Sequence, residues 1–257
     1  MTDQNARVLG QFSQQASAYA DLVNRQGSSS REDPLIALMA PQPGDRVLDV
    51  GCGSGQLAVA IAPLVVEVVG LDLTPAMLKE AKAHAVASGV TNVRWEVADA
   101  VCLPVEDASF DLVVSRSMFH HAADPCATLA EMRRACVPGG RIFVSDLSPE
   151  PVKAAAFDAI ELLRDPSHQH ALTVEELRQL GQEAGLAEME MRRGATRLRL
   201  ESVLATSFPP EGMLDHVRSL LGRDAAAAYD AFGLRAEMQG GDVWITYPTV
   251  IVGWRRP

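Results

Sequence analysis

Residues 47–55 read VLDVGCGSG, an apolar run that ends in a turn with three glycines. A helix is predicted to begin directly afterwards, at Gln56. Glycines allow positive φ angles and close approach of a ligand to the backbone, and a helix N-terminus carries N–H donors without partners in the helix. The stretch therefore predicts a site for a nucleotide or nucleoside-like ligand at the carboxyl end of the first strand of a parallel sheet.

The spacing of the glycines and the surrounding carboxylates discriminate between ligands. Dinucleotide sites carry GxGxxG, whereas here the third glycine comes one position earlier and Gln56 follows it. Asp72 lies about 20 residues after the turn, where a carboxylate holds ribose hydroxyls, and Asp99 follows the predicted third strand. Asp49, inside the apolar first strand, needs a partner such as an ammonium group or backbone donors. Together they favour the cationic S-adenosylmethionine over a pyrophosphate, the alternative being three aspartates that merely cap turns.

From Arg46 onward, short apolar runs alternate with alanine-rich segments. Such runs are typical of strands buried on both faces of a parallel sheet. The predicted strands are 47–50, 65–71, 93–98, 110–115, 141–146, 188–200 and 242–254. The predicted helices are 34–39, 56–62, 75–88, 124–136, 149–164, 173–184 and 215–229, with Pro138-Gly139-Gly140 as the end of the fourth. The pattern predicts an α/β fold with a Rossmann-like, doubly wound, mostly parallel seven-stranded sheet.

The same pattern predicts one domain over residues 1–257. Residues 1–40 would form an N-terminal helical lid, whose short helices are broken at 27–30. Residues 41–147 would form the cofactor-binding core. Residues 148–257 would add the substrate-side helices, including a helical lid after strand five, and the last strands.

The amino-acid composition argues against several functional classes of protein. Lys and Arg number 23 against 33 Asp and Glu, so the net charge of −10 argues against a nucleic-acid or anionic-membrane partner. The four cysteines form no CxxC pair, and those at 102, 126 and 136 lie among apolar residues and are expected in the core. No signal peptide and no apolar run of about 20 residues is found. We expect a cytoplasmic monomer or homodimer that acts on a small molecule.

Several segments together resemble the class I S-adenosylmethionine-dependent methyltransferases, in the branch of the ubiquinone and menaquinone C-methyltransferases. They follow the family's order over roughly residues 40 to 146 and are VLDVGCGSG (47–55), GLDLTPAML (70–78), VADA (97–100), SFDLVVSRSMFHHAADP (109–125) and ACVPGGRIFVSD (135–146). The resemblance implies transfer of a methyl group to carbon, oxygen or nitrogen of a small-molecule acceptor, with S-adenosylhomocysteine as product.

The resemblance also implies which residues bind the cofactor. Asp49 and the glycine-turn backbone would hold the methionine part, Asp72 the ribose hydroxyls, and Asp99 the adenine. A tyrosine on the N-terminal helices would close over the pocket. The full implied set is Tyr19, Asp49, Gly51, Cys52, Gly53, Gly55, Asp72, Leu73, Met77, Asp99, Ala100, Ser115 and Arg116.

Two adjacent histidines are the candidates for catalysis. His120 and His121 follow the predicted fourth strand, where a substrate would approach the methyl group, and histidine is a base that titrates near neutrality. Of the two, His121 better matches a histidine of some relatives. A packing or loop-orienting role is the alternative for both.

Three further residues are candidate substrate contacts: Asp146, Arg164 and His168. Asp146 ends the fifth strand, where it could instead cap the loop, and Arg164 could clamp an anion. The histidines and carboxylate at 165–170 could suggest a metal site, but a solvated joint between helices is preferred and no metal is predicted.

Two other functions stay open at this point. One is a protein of the same fold that binds S-adenosylmethionine without transferring its methyl group and supports another reaction. The other is an NAD-dependent enzyme, which Gln56 and the position of Asp99 disfavour.

Overall fold

The computed structural model describes residues 2–26 and 33–257, and only the backbone of residues 19 and 21–26. The strands are β1 (Arg46–Val50), β2 (Glu67–Asp72), β3 (Val93–Val97), β4 (Phe110–Arg116), β5 (Cys136–Leu147), β6 (Ala187–Arg199), β7 (Glu237–Gln239) and β8 (Asp242–Arg255). The helices are α1 (Asp3–Gln26), α2 (Pro34–Met39), α3 (Gln56–Ile61), α4 (Pro75–Ala87), α5 (Pro125–Ala135), α6 (Ala154–Arg164), α7 (Val174–Glu183), α8 (Leu200–Leu204) and α9 (Met213–Ala227). Short 3₁₀ turns cover Ala62–Leu64 and Phe119–His121.

The strands form one mixed sheet in the order β3-β2-β1-β4-β5-β8-β6, with β7 paired to β8. Strands β1 to β5 are parallel, whereas β8 runs antiparallel to both β5 and β6. The strand order reverses at β1, between β2 and β4, which is where ligands bind in sheets of this kind. The predicted doubly wound α/β fold is confirmed.

The buried strands explain why the sequence forms this sheet. Leu48 and Val50 of β1 pack into a cluster with α5 and α7, while Val47 packs on the other face against α2 and α3. Both faces of the sheet are therefore covered by helices, as near-continuous apolar strands require. A third cluster joins α6, α8, α9 and β8 and includes Phe157, Val203, Val217, Ile245 and Tyr247.

The structure departs from the sequence prediction in several places. Helix α1 runs unbroken for 24 residues, and the predicted break at 27–30 lies outside the described residues. Helix α5 ends at Ala135, so Pro138-Gly139-Gly140 lies inside β5, where the register of pairing with β4 shifts. Helix α8 and strand β7 were not predicted, since five and three residues carry too little periodicity. Cys102 and Cys126 are exposed, whereas core positions were expected, and Cys136 is buried.

The parallel strands place their carboxyl ends at one edge of the sheet. At that edge β1 continues into the glycine turn and β4 leads to the Phe119–His121 turn, and Asp146 lies in the last residues of β5. Helix α1 lies over the same edge, because Gln4 and Asn5 bond to residues that follow β4 and β3. No helix in the described ranges is both long and apolar enough to cross a bilayer.

Candidate active site

A cleft of about 1110 Å³ opens at the carboxyl ends of the parallel strands. Its walls come from the glycine turn, the loops after β2 and β3, the turn after β4, the first half of α1, and the middle of β6 and β8. Typical ligand pockets measure about 300–1,000 Å³, so this cleft has the size for a nucleoside-like ligand and a second small molecule together.

Two glycines of the turn at 51–55 are required by their surroundings. Gly51 has φ +71°, and a Cβ atom there would lie 2.5 Å from Cγ of Met118. Gly55 has φ +82°, and its Cβ would lie 2.7 Å from the indole of Trp95. The glycines thus let the turn pass between β4 and β3 while its backbone faces the cleft.

Several N–H groups of the glycine turn are bonded inside the protein. The amides of Gly51 and Cys52 both donate to the carbonyl of Leu71, at 2.8 and 2.9 Å. The amide of Gly53 donates to Oδ2 of Asp72 at 2.8 Å. These three donors are therefore occupied within the protein.

Asp49 is the most unusual charge of the cleft. Its side chain is 1% exposed, and Oδ2 has no hydrogen-bond partner among the described residues. Burial raises the pKa of Asp49 to about 7, against the opposing effects of Arg116 and the amide of Ala58 and with a further increase from Asp72. A buried carboxylate with a free oxygen fits a cationic ligand group, because an opposite charge removes the cost of burying it.

Two further carboxylates line the cleft beyond the glycine turn. Asp72 accepts the amide of Thr74 on Oδ1 at 2.8 Å, in addition to Gly53 on Oδ2, and burial raises its pKa. Asp99 accepts the side-chain amide of Asn5 at 2.5 Å. A carboxylate oxygen has two lone pairs, so each group retains capacity to accept a ligand hydroxyl or amino group.

The turn after β4 is fixed by Asp146. Its Oδ2 accepts the amide of Phe119 at 2.7 Å, and its Oδ1 lies 2.5 Å from Nδ1 of His120. Burial disfavours the charged form of each residue, but their mutual attraction outweighs it. Asp146 therefore raises the pKa of His120, and His120 lowers the pKa of Asp146. His120 and Asp146 therefore form a buried ion pair, of which Asp146 lines the cleft.

His121 is neutral beside this ion pair. Nδ1 of His121 lies 3.0 Å from the carbonyl of Ser167, so it carries the proton, and Nε2 has no hydrogen-bond partner among the described residues. Burial and the neighbouring charge of His120 lower the pKa of His121 to about 3. The ring of Phe12 from α1 packs edge-on at 5.0 Å. His121, which lines the cleft, is thus neutral at physiological pH and keeps one unprotonated ring nitrogen.

Helix α1 contributes polar contacts that the sequence analysis did not identify. Nε2 of Gln4 donates to the carbonyls of His121 and Ser167, at 3.0 and 2.6 Å, and Asn5 bonds to Asp99. The signal in the sequence is a set of amide side chains at helical spacing, all buried: Gln4, Gln11 and Gln15. A second missed contact is the ion pair of Arg116 with Asp33, just before α2, at 2.9 Å.

The structure brings most of the predicted site residues together. Those that line the cleft are Asp49, Gly51, Cys52, Gly53, Asp72, Leu73, Met77, Asp99, Ala100, Arg116, His121 and Asp146. The predicted residues Gly55, Ser115 and His120 are not part of the cleft lining. The side chain of Tyr19 is outside the described residues.

The other two predicted substrate residues lie outside the cleft, in a buried network. Arg164 bonds to Glu161 at 2.5 Å, and His168 bonds through Nε2 to Asp158 at 2.7 Å. The predicted solvated joint was wrong: Asp165 and His168 are 3% and 1% exposed, because this segment packs on the turn after β4. No three His, Cys, Asp or Glu side chains of the described ranges are grouped as metal ligands.

Comparison with known proteins gives the family context. A family model described as a methyltransferase domain matches residues 41–186. YcgJ of Bacillus subtilis, named as an uncharacterized methyltransferase, is 28% identical over 209 residues, which cover 80% of this chain and 83% of YcgJ. A ubiquinone biosynthesis O-methyltransferase from Thiobacillus denitrificans is 31% identical over 203 residues, which cover 74% of this chain and 87% of that protein.

A solved structure is also similar to this chain. The crystal structure of a candidate methyltransferase from Bacillus halodurans superposes with a TM-score of 0.79 at 25% identity. The match covers 87% of this chain and 97% of that one. The likeness therefore extends beyond the parallel half of the sheet.

Proposed function

The chain belongs to the methyltransferase-domain family, and we propose that its cleft binds S-adenosylmethionine beside a small-molecule acceptor that receives the methyl group. Methyl transfer from S-adenosylmethionine is the activity of this family. The observation that carries the proposed site is the buried Oδ2 of Asp49, which has no partner in the described residues and belongs to a side chain that lines the cleft together with the glycine turn.

The residues at this end of the cleft fit S-adenosylmethionine. Asp49 would hold the α-ammonium group, which supplies the partner that its Oδ2 lacks. Asp72 would accept the ribose hydroxyls, and Asp99 the adenine amino group. Met77 and Leu103, both buried, would pack against the adenine ring. The ligand's positive charge would also stabilise the ionised form of Asp49, whose pKa burial raises.

When bound, S-adenosylmethionine supplies a methyl group already activated by a positively charged sulfur. The protein must then align the acceptor and exclude water, and alignment alone can contribute about 7–11 kcal/mol to lowering a barrier. Met118 and His121 lie at the turn after β4, beside Gly51, where an acceptor would meet the methyl group. Helix α1 covers this turn through Gln4 and Phe12, and we assign to it the role of the lid.

His121 would act on the acceptor through Nε2. The hydrogen bond of Nδ1 to Ser167 fixes the tautomer and the ring plane. Nε2 would accept a hydrogen bond from an acceptor hydroxyl and take its proton as the oxygen is methylated. A base with a pKa of about 3 is weak, yet it suffices because the hydroxyl becomes strongly acidic during transfer. The His120–Asp146 pair holds the turn and keeps His121 neutral.

Thermal unfolding with candidate ligands tests the proposed site. S-adenosylhomocysteine should raise the melting temperature with saturation at a 1:1 ratio, whereas NAD at the same concentration should leave it unchanged. Stabilisation by NAD alone would overturn the assignment of the cleft. Formation of S-adenosylhomocysteine in the presence of an acceptor separates a transferring enzyme from a protein that only binds the cofactor.

A further inference from the structure

One wall of the cleft is formed by the middle of β6 and β8. The antiparallel register pairs Arg192 with Ile251 and Gly194 with Thr249. Directly paired residues of neighbouring strands project to the same face of a sheet. Arg192 and Thr249 therefore lie on one face, and both line the cleft together with Ile251.

Gly194 leaves the hydroxyl of Thr249 uncovered. A Cβ atom at Gly194 would lie 2.8 Å from Oγ1 of Thr249, so any other residue would press on that oxygen. The missing side chain gives a ligand in the cleft access to the hydroxyl. Arg192 lies two residues before Gly194 on the same face, which is one full repeat of the pleat, about 7 Å along the strand.

The arginines of β6 differ in their ion pairs. Arg197 and Arg199, farther along the strand, pair with Glu237 and Asp242. Arg192 has no carboxylate within ion-pair distance in the part of the chain that the structure describes. Among the described residues, the arginines of β6 away from the cleft are thus neutralised by neighbouring elements, whereas Arg192 and Arg193, which both line the cleft, have no counter-ion.

The lining of the cleft is otherwise acidic. It contains six aspartates and three arginines, and one of these arginines, Arg116, is bound to Asp33. The whole chain carries a net charge of −10, which repels anionic ligands unless a local positive charge attracts them. The charge is therefore divided: carboxylates surround the glycine turn, and the β6–β8 wall carries the guanidinium groups of Arg192 and Arg193. Of these two arginines, Arg192 projects to the same face as Thr249.

We propose that the methyl acceptor carries an oxyanion group, a carboxylate or a phosphate, which the guanidinium of Arg192 and the hydroxyl of Thr249 bind. This inference rests on the proposed function, since it assumes that the cofactor fills the acidic end. A guanidinium binds the two oxygens of a carboxylate or phosphate in a planar fork, and the hydroxyl of Thr249 donates a further hydrogen bond. Anchored there, the acceptor's other end is directed towards the methyl group and away from the carboxylates.

A titration with matched probes tests the proposal. The protein saturated with S-adenosylhomocysteine is titrated by calorimetry with benzoate, phenyl phosphate and neutral benzamide, which share one ring. We expect at least one anion to bind and benzamide to bind at least about tenfold more weakly. The stronger of the two anions identifies carboxylate or phosphate as the natural group.

Two variants assign the effect to the wall. Arg192→Gln should weaken binding of the preferred anion by about tenfold, with Arg192→Lys intermediate because it keeps the charge but loses the fork. Arg223→Gln, at an exposed arginine of α9 that does not line this cleft, should leave it unchanged. S-adenosylhomocysteine should bind all variants like the unmodified protein, which also shows that they are folded.

The outcomes separate the two proposals. Normal binding of S-adenosylhomocysteine with no preference for either anion over benzamide overturns the oxyanion site alone. So does an anion preference that Arg192→Gln leaves unchanged. Failure of S-adenosylhomocysteine to bind the unmodified protein overturns the proposed function and this inference with it.

Discussion

Asn5 of α1 donates its side-chain amide to Oδ2 of Asp99 across 2.5 Å. The bond joins the first helix of the chain to the loop after β3, 94 residues later. Asp99 is also the residue proposed to contact the adenine. The carboxylate of Asp99 therefore both holds α1 in place and forms part of the proposed adenine site. Loss of the Asn5 contact should affect the position of α1 and the binding of the ligand.

Asn5→Ala should loosen α1 without altering the sheet. We expect faster proteolytic cleavage within α1 and faster dissociation of S-adenosylhomocysteine, by about three- to tenfold, because one charge-assisted hydrogen bond is lost. Limited proteolysis and stopped-flow dissociation measure the two effects. Gln14→Ala, at an exposed position of the same helix, should change neither. Equal behaviour of the two variants would contradict the role of Asn5.

Gly51→Ala should destabilise the fold through a steric clash. Its Cβ would meet Met118 at 2.5 Å, whereas a Cβ at Gly53 meets nothing within 4 Å. Both glycines have positive φ, so Gly53→Ala measures the backbone strain alone. Chemical denaturation should show a loss of free energy of unfolding about 1–3 kcal/mol larger for Gly51→Ala. An equal loss of free energy of unfolding in Gly51→Ala and Gly53→Ala would contradict the predicted clash.

Asp49→Asn should stabilise the ligand-free protein at alkaline pH. Burial raises the pKa of Asp49 from 3.8 to about 7, so the folded state retains a proton that the unfolded chain releases. The free energy of unfolding of the unmodified protein should then fall as pH rises from 5 to 8, by about 2 kcal/mol from this group.

Denaturation at a series of pH values checks this dependence. In Asp49→Asn the decrease should be absent, and the variant should be more stable than the unmodified protein at pH 8. Glu96→Gln, at an exposed carboxylate of β3, provides the control and should keep the slope of the unmodified protein. If the free energy of unfolding of Asp49→Asn still fell with pH as steeply as that of the unmodified protein, Asp49 would not be the group with the raised pKa.

His121→Ala should lower the turnover of a hydroxyl acceptor by about 10²-fold, the usual contribution of a positioned acid–base group. Because the pKa of His121 is about 3, the rate should show no decrease from protonation of this residue between pH 5 and 8. Steady-state rates across that range, with His216→Ala as an exposed control, measure both properties. A full rate in His121→Ala would remove His121 from the mechanism.

The sequence predicted the parallel half of the fold because its signals are local. The apolar runs that end at Val50 and Asp72, and the glycine turn, each depend on a few adjacent residues. The carboxylates at strand ends followed from the rule that parallel strands end at one edge. These residues do meet in the cleft.

Contacts between distant segments could not be predicted in the same way. The position of Arg192 depends on the register of β6 against β8, and the sequence of β6 alone does not determine that register. The docking of Gln4 on the turn after β4 spans 117 residues. The joint at 165–168 contains polar residues that are typical of a surface loop, and only its packing on His120 and His121 makes it buried.

Calorimetric titration of S-adenosylmethionine into the unmodified protein and Asp49→Asn at pH 7.5 tests whether Asp49 holds the ligand. We expect one site in the unmodified protein and binding weaker by about tenfold or more in the variant, whose fold is retained. We also expect that the unmodified protein binds more weakly as pH falls below 7, because Asp49 becomes protonated, whereas the variant does not. Equal affinity in the two proteins across this range would show that Asp49 does not hold the ligand, and no binding to the unmodified protein would show that the cleft is not a site for S-adenosylmethionine.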